Sequence, residues 1–197
     1  MNARSIALIA IFASLAIVLN SIRIPTFYWP GWFYTLSDIP VIVAFLIYGF
    51  KIGIFVEATQ IIGQEIFFPV GPGGLVVYPM GLLVVPLMVF GFYLAKKFLL
   101  GKYVEWSQVS EKKAVIYSTG FALALRGSIM PLVDFFILYQ VLLPFVLNRV
   151  LPATYVMGLI PAFVIYNITS TLYAVPTAYL ISKRIKKILP VQGNRLL

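Results

Sequence analysis

Apolar residues along this chain fall into six long blocks, separated by short stretches rich in aromatic, proline, glycine or basic residues. Within each block the apolar positions are continuous, where a β-barrel would alternate them over strands of ~10 residues. Blocks approaching ~20 residues have the length of a helix that crosses a bilayer. The pattern predicts spans over Ser5–Ile22, Ser37–Phe50, Ile52–Phe68, Leu75–Ala95, Ala114–Leu143 and Tyr155–Ile181. The second is short for a full crossing. The fifth is long enough to tilt, or to kink at Pro131. The expected fold is all-α: one polytopic membrane domain over residues 1–197, a bundle of six transmembrane helices.

The ends of the blocks carry the charge. Arg4, Lys51, Lys96, Lys97, Lys102, Lys112, Lys113, Lys183, Arg184, Lys186, Lys187 and Arg195 fall on one side of a six-span arrangement, and only Arg23 and Arg149 on the other. By the positive-inside rule both termini are cytoplasmic. This distribution also accounts for the net charge of +9 without a nucleic-acid partner. A hydrophobic content of 61% is well above the ~45–50% of soluble domains. Cysteine and histidine are absent, which removes disulfides, thiolate metal sites and the commonest general base. No small-x-small site leads from the first block into a polar chain, so it reads as a retained helix. No convincing internal repeat is visible, which weighs against an inverted-repeat transporter.

On the outer side, the connection Pro25–Leu36 holds Phe27, Tyr28, Trp29, Trp32, Phe33 and Tyr34. Such a cluster serves either as a headgroup-level belt or as a lid whose flat rings, Trp32 and Tyr34 among them, stack on a ligand. Asp38 follows at once. It either caps the second span through backbone N–H groups or contacts a ligand.

The polar residues inside the spans are the main functional signal, because a charge near the bilayer centre costs ~3 kcal/mol or more. Glu57, Gln60, Gln64 and Glu65 share one face of the third span. Two carboxylates in a dry seam would need two dedicated partners, so a cavity wall is the better reading of that face. Arg126 and Asp134 lie two turns apart in the fifth span. Arg126 is expected to pair with at least one of Glu57, Glu65 and Asp134, or to clamp an acidic or carbonyl group of a ligand in fork geometry. Tyr166, Asn167 and Ser170 in the sixth span offer ligand donors and acceptors, or interhelical hydrogen bonds. Tyr78, near the outer end of the fourth span, completes the candidate binding set. In the first span Ala3, Ala7, Ala10 and Ser14 share a face that another helix could approach closely, within the chain or outside it.

No P-loop, Gly-x-Ser-x-Gly elbow or His-Glu-x-x-His occurs, so uphill transport would draw its energy from a partner or a gradient. The length, the six spans, the small-residue first helix and the segment LSDIPVIVAFLIYGFKIGIFVEATQ together resemble the substrate-binding S components of energy-coupling factor (ECF) vitamin transporters. The SDIP after an aromatic loop and the YNITS of the last span look most like the riboflavin-binding branch. There Asn167 has a counterpart, Ser170 stands where a Lys is usual, and Asp134 stands where an Asn is usual. The resemblance implies a non-enzymatic subunit of the plasma membrane that binds riboflavin or a related ring-containing vitamin and needs no cofactor. It also implies that the first helix docks on a transmembrane T subunit, that two cytoplasmic ATPase subunits hydrolyse ATP, and that the first outer loop gates the site. The competing classes are a stand-alone small-solute transporter or channel and an intramembrane enzyme.

Overall fold

Each apolar block folds as a helix, and the ends are set by capping residues and glycine. The computed structural model describes residues 2–28, 33–69, 78–100, 109–142, 144–145, 148 and 152–188. Helix α1 covers Ala3–Asn20, and Asn2 caps it, its Oδ1 accepting from the Ser5 amide at 3.0 Å. A two-residue hairpin follows, β1 (Ile24–Pro25) antiparallel to β2 (Phe33–Tyr34), within an otherwise helical fold. Helices α2 (Asp38–Tyr48) and α3 (Phe50–Phe67) are joined by Gly49 alone, at φ +88°, where a side chain would be strained. A 3-10 turn at Tyr78–Met80 leads into α4 (Gly81–Leu100). Helix α5 (Glu111–Val133) is capped by Ser110 and continues as a π-helix over Asp134–Leu142. Helix α6 covers Ala153–Ile188.

Pro131 lies three residues before the π segment. Proline removes an N–H from the ladder and frees the carbonyl four residues back. The chain answers with wider turns rather than with a break. Helix α6, at 36 residues, outruns its expected span at both ends. At ~1.5 Å per residue it is about 54 Å long, well beyond a ~30 Å hydrocarbon core.

Four helical stretches are long and apolar enough to cross a membrane: Ala3–Asn20, Gly81–Leu100, Glu111–Leu142 and Ala153–Ile188. Helix α3 carries Lys51, Glu57 and Glu65 and is more polar. Helix α2 has 11 residues, about 16 Å, and does not cross alone. It lies at the centre instead. Every residue from Ile39 to Ile47 is buried, packed among α1, α3, α4 and α6.

Glycines let the backbones approach. The Phe45 ring of α2 occupies the space a Cβ at Gly53 would need, and Ile17 of α1 does the same at Gly63. At Gly91 the obstacle is backbone: a Cβ there would lie 2.6 Å from the Ala122 Cα of α5. Backbone cannot rotate away as a side chain can. Gly91→Leu is therefore expected to force α4 from α5, at 1–3 kcal/mol or more for overpacking. Thermal unfolding in detergent reads this, and an unchanged melt would mean the two helices are not held at that distance.

Helix α1 packs inward through Ile9, Ala13, Ala16 and Asn20. Ala3, Ala7, Ala10 and Ser14 are exposed. Among the described residues, the small-residue face is thus left exposed and not packed. At the basic end of the bundle, Lys183 of α6 donates to Glu111 of α5 at 2.6 Å. This bond joins the start of α5 to the end of α6 and fixes which helix ends lie together.

Candidate ligand-binding site

At the opposite end, the bundle encloses a cavity of about 460 Å³. Asn20 of α1, Asp38 of α2, Glu57, Gln60 and Gln64 of α3, and Gly81 and Val84 of α4 line one part. Arg126 and Met130 of α5, Asp134 and Tyr139 of the π segment, and Phe163, Tyr166, Asn167, Ser170 and Tyr173 of α6 line the rest. Arg23, Phe33, Thr35 and Tyr78 close its outer rim. The volume is in the usual range for a small-molecule site, ~300–1,000 Å³.

Arg126 is the hub. It is 3% exposed. Its Nε donates to Asn167 Oδ1 at 2.8 Å, one terminal nitrogen lies 3.5 Å from Asp38 Oδ2, and the same nitrogen reaches Met88 Sδ at 3.2 Å. The ion pair is therefore with Asp38, and not with Glu57, Glu65 or Asp134 as their shared burial suggests. Sequence separation hides this pairing, because Asp38 stands in the first turn of α2 across the bundle from α5. Of the two readings of Asp38, the same contact decides against the cap of α2. The N-cap residue is Ser37, without a side-chain capping bond, and the Asp38 carboxylate faces the guanidinium. Asn167 is fixed from both sides, since its Nδ2 also donates to the Phe163 carbonyl at 2.9 Å.

Glu57 and Gln60 are equally deep, at 1% and 3% exposure. Glu57 Oε2 and Gln60 Oε1 are shut off from solvent and have no hydrogen-bond partner among the described residues. The other Glu57 oxygen lies against Gly81, where a Cβ would collide with it. Gln64 completes the α3 wall. Glu65, on the same helical face by count, is half-buried and outside the cavity lining. The offset of one residue from Gln64 turns it away by ~100°.

The hairpin covers this end and is tied down by hydroxyls. Tyr166 donates to the Phe33 carbonyl at 3.1 Å, and Tyr173 to the Thr35 carbonyl at 2.7 Å. Tyr34 stacks on Tyr166 with centroids 5.1 Å apart, and its hydroxyl lies 2.6 Å from that of Tyr28. Burial, then the hydrogen bond to Tyr34, pushes the Tyr28 hydroxyl above its ordinary pKa, so it stays protonated. Arg23 sits over the Phe33 and Phe68 rings at 5.9 and 5.5 Å. Tyr34, on β2 of the hairpin, is buried but does not line the cavity. Trp32 lies outside the described residues. Ser170 lines the cavity while its Oγ donates back to the Tyr166 carbonyl at 2.7 Å.

Several lining residues were not singled out from the sequence. Tyr173 and Phe163 continue the face of Tyr166 and Ser170 at steps of three and four, a signal open to a helical count. Tyr139 is five residues from Asp134, which is one turn only in a π-helix. An α-helical count misses it. Asn20 and Arg23 sit at a helix end and in a connection, where periodicity says nothing.

No family model and no curated protein matches the chain. Among solved structures, the fold is similar to that of a helical membrane subunit, the S component of a bacterial ECF transporter. The two share 20% sequence identity and a TM-score of 0.57, over 94% of this chain and 96% of that one. The likeness spans nearly the whole of both chains, and at this identity it concerns the fold.

Proposed function

We propose that this chain is the substrate-binding membrane subunit of an ECF-type uptake transporter in the plasma membrane, taking up a ring-containing vitamin such as riboflavin. The observation that carries the reading is the buried polar cavity walled by all six helices and covered by an aromatic hairpin. A bilayer protein keeps such a chamber, with five acidic or basic side chains among its described lining residues, at considerable cost, and serving a solute offsets that cost. The apolar and aromatic share of the wall, with a few convergent polar groups, suits a ring that is stacked and read at its edges. The exposed small-residue face of α1 supports docking on a T subunit, with hydrolysis of ATP left to two separate ATPase subunits.

The test is mass spectrometry of small molecules that co-purify with the detergent-solubilised chain, followed by titration with riboflavin. A bound ring compound, released on denaturation, is the expected result. Uptake into liposomes by this chain alone would replace the proposal with a stand-alone transporter. The hairpin carries a kinetic prediction. Tyr34→Ala removes a stack worth ~1 kcal/mol beyond burial and the partner of Tyr28, so ligand dissociation should speed up at least fivefold. An unchanged dissociation rate would leave the hairpin as an interfacial belt.

A further inference from the structure

The chain carries a recognition element for a specific ligand edge. We infer that Glu57 and Gln60 bind a cationic N–H donor edge of the ligand, of the amidinium or protonated amino-heterocycle type. This rests on the reading of the cavity as a vitamin site and, among ring-containing vitamins, favours one with a cationic edge over riboflavin, whose ring is neutral.

Two observations carry it. First, among the described residues the acidic and basic side chains on the cavity lining are unequal in number. Asp38, Glu57 and Asp134 face Arg23 and Arg126, three carboxylates against two guanidinium groups. Arg126 is committed to Asp38 and Asn167, and Arg23 lies over two aromatic rings at the rim. No cation within salt-bridge distance of Glu57 occurs among the described residues. Second, the unpartnered atoms on the described cavity lining are acceptors. Glu57 and Gln60 are neighbours one helical turn apart on α3, and Glu57 Oε2 and Gln60 Oε1 have no donor among the described residues. Both are shut off from solvent, so water does not supply the missing donors. A buried acceptor left without a donor is costly, so a ligand that brings donors to these atoms gains affinity. Two parallel N–H groups with a positive charge meet both demands together, since hydrogen bonds to ionised groups are roughly twice as strong as neutral ones.

Gly81 holds the element in place. Its lack of a Cβ is what allows one Glu57 oxygen to rest against α4, while the other is buried without a partner among the described residues. Packing against α4 thus helps to position the carboxylate.

The experiment uses the full chain in detergent and three isosteric probes: benzamidine, benzamide and benzoate. They share a ring and shape and differ in charge at one edge. Riboflavin is titrated in parallel. On the unmodified chain, benzamidine should bind at least tenfold tighter than benzamide, and benzoate more weakly still. Glu57→Gln should remove most of the benzamidine preference without lowering the melting temperature, because an unpaired buried carboxylate is lost and not a bonded one. A lowered melt for Glu57→Gln would overturn the inference by making Glu57 a structural group. So would preference for benzoate, which would make Arg126 the ligand anchor. Riboflavin binding with no response to any of the three probes overturns this inference alone and leaves the uptake proposal intact. Failure of all four to bind, with nothing co-purifying, overturns both.

Discussion

Replacing Arg126 with Met is expected to destabilise the detergent-solubilised protein by ~3–5 kcal/mol, the usual cost of breaking a buried pair by removing one partner. The substitution leaves the Asp38 carboxylate facing an apolar wall and strips Asn167 Oδ1 of its donor. Apolar volume is nearly conserved, so packing contributes little to the loss. The cause can be isolated. Adding Asp38→Asn to Arg126→Met removes the stranded charge and should recover a substantial part of the melting temperature. Without recovery, the arginine would owe its importance to something other than the pair. Asn167→Ala is expected to affect more than ligand affinity, because the amide links Arg126 to the Phe163 carbonyl. It should lower both the melting temperature and affinity.

Loss of transport, with binding retained, is the expected outcome of Ala10→Trp combined with Ser14→Trp. Both positions are exposed on α1, and the packing side of that helix is made by Ile9, Ala13, Ala16 and Asn20. Bulky side chains there do not disturb the bundle or the cavity. They do prevent a second membrane helix from reaching the α1 backbone, and close approach is the main source of helix association in lipid. Reconstitution with the proposed transporter core measures the loss, and ligand titration of the isolated variant measures what is kept. If the double variant lost ligand binding but still assembled, α1 would be part of the site and not a docking face.

The helices were legible because a bilayer asks for long apolar blocks, and these blocks stand out from their flanks. The α3 wall was legible for the same reason: three polar residues at helical spacing have no place facing lipid. What the sequence concealed is pairing across the bundle. Asp38 reads as a cap because it opens a helix, and only the fold shows that Arg126 is opposite it. Glu65 reads as part of the polar face because one residue of offset is within the tolerance of a helical count. The π segment was hidden because apolar residues at Phe135, Phe136, Ile137 and Leu142 fit an α-helix as well as a wider one. The hairpin could not be read from two-residue strands. Strand signals need several alternating positions.

During synthesis α2 emerges before most of the protein that will enclose it. Helices α1 and α3 are its immediate neighbours in the chain, but α4 and α6, which complete its surroundings, are made later. At ~5–20 residues per second, on the order of ten seconds pass between the end of α2 and the end of α6. For that time an eleven-residue helix, too short to hold itself across a bilayer, has only two of its walls. Its apolar surface is at ease in hydrocarbon, but Asp38 at its outer end has no cation until Arg126 arrives with α5. The arrival of one arginine therefore marks the moment at which α2 stops being a provisional guest in the membrane and becomes the axis of the molecule. A ribosome stalled before that codon would leave the central helix in place with its charge unanswered.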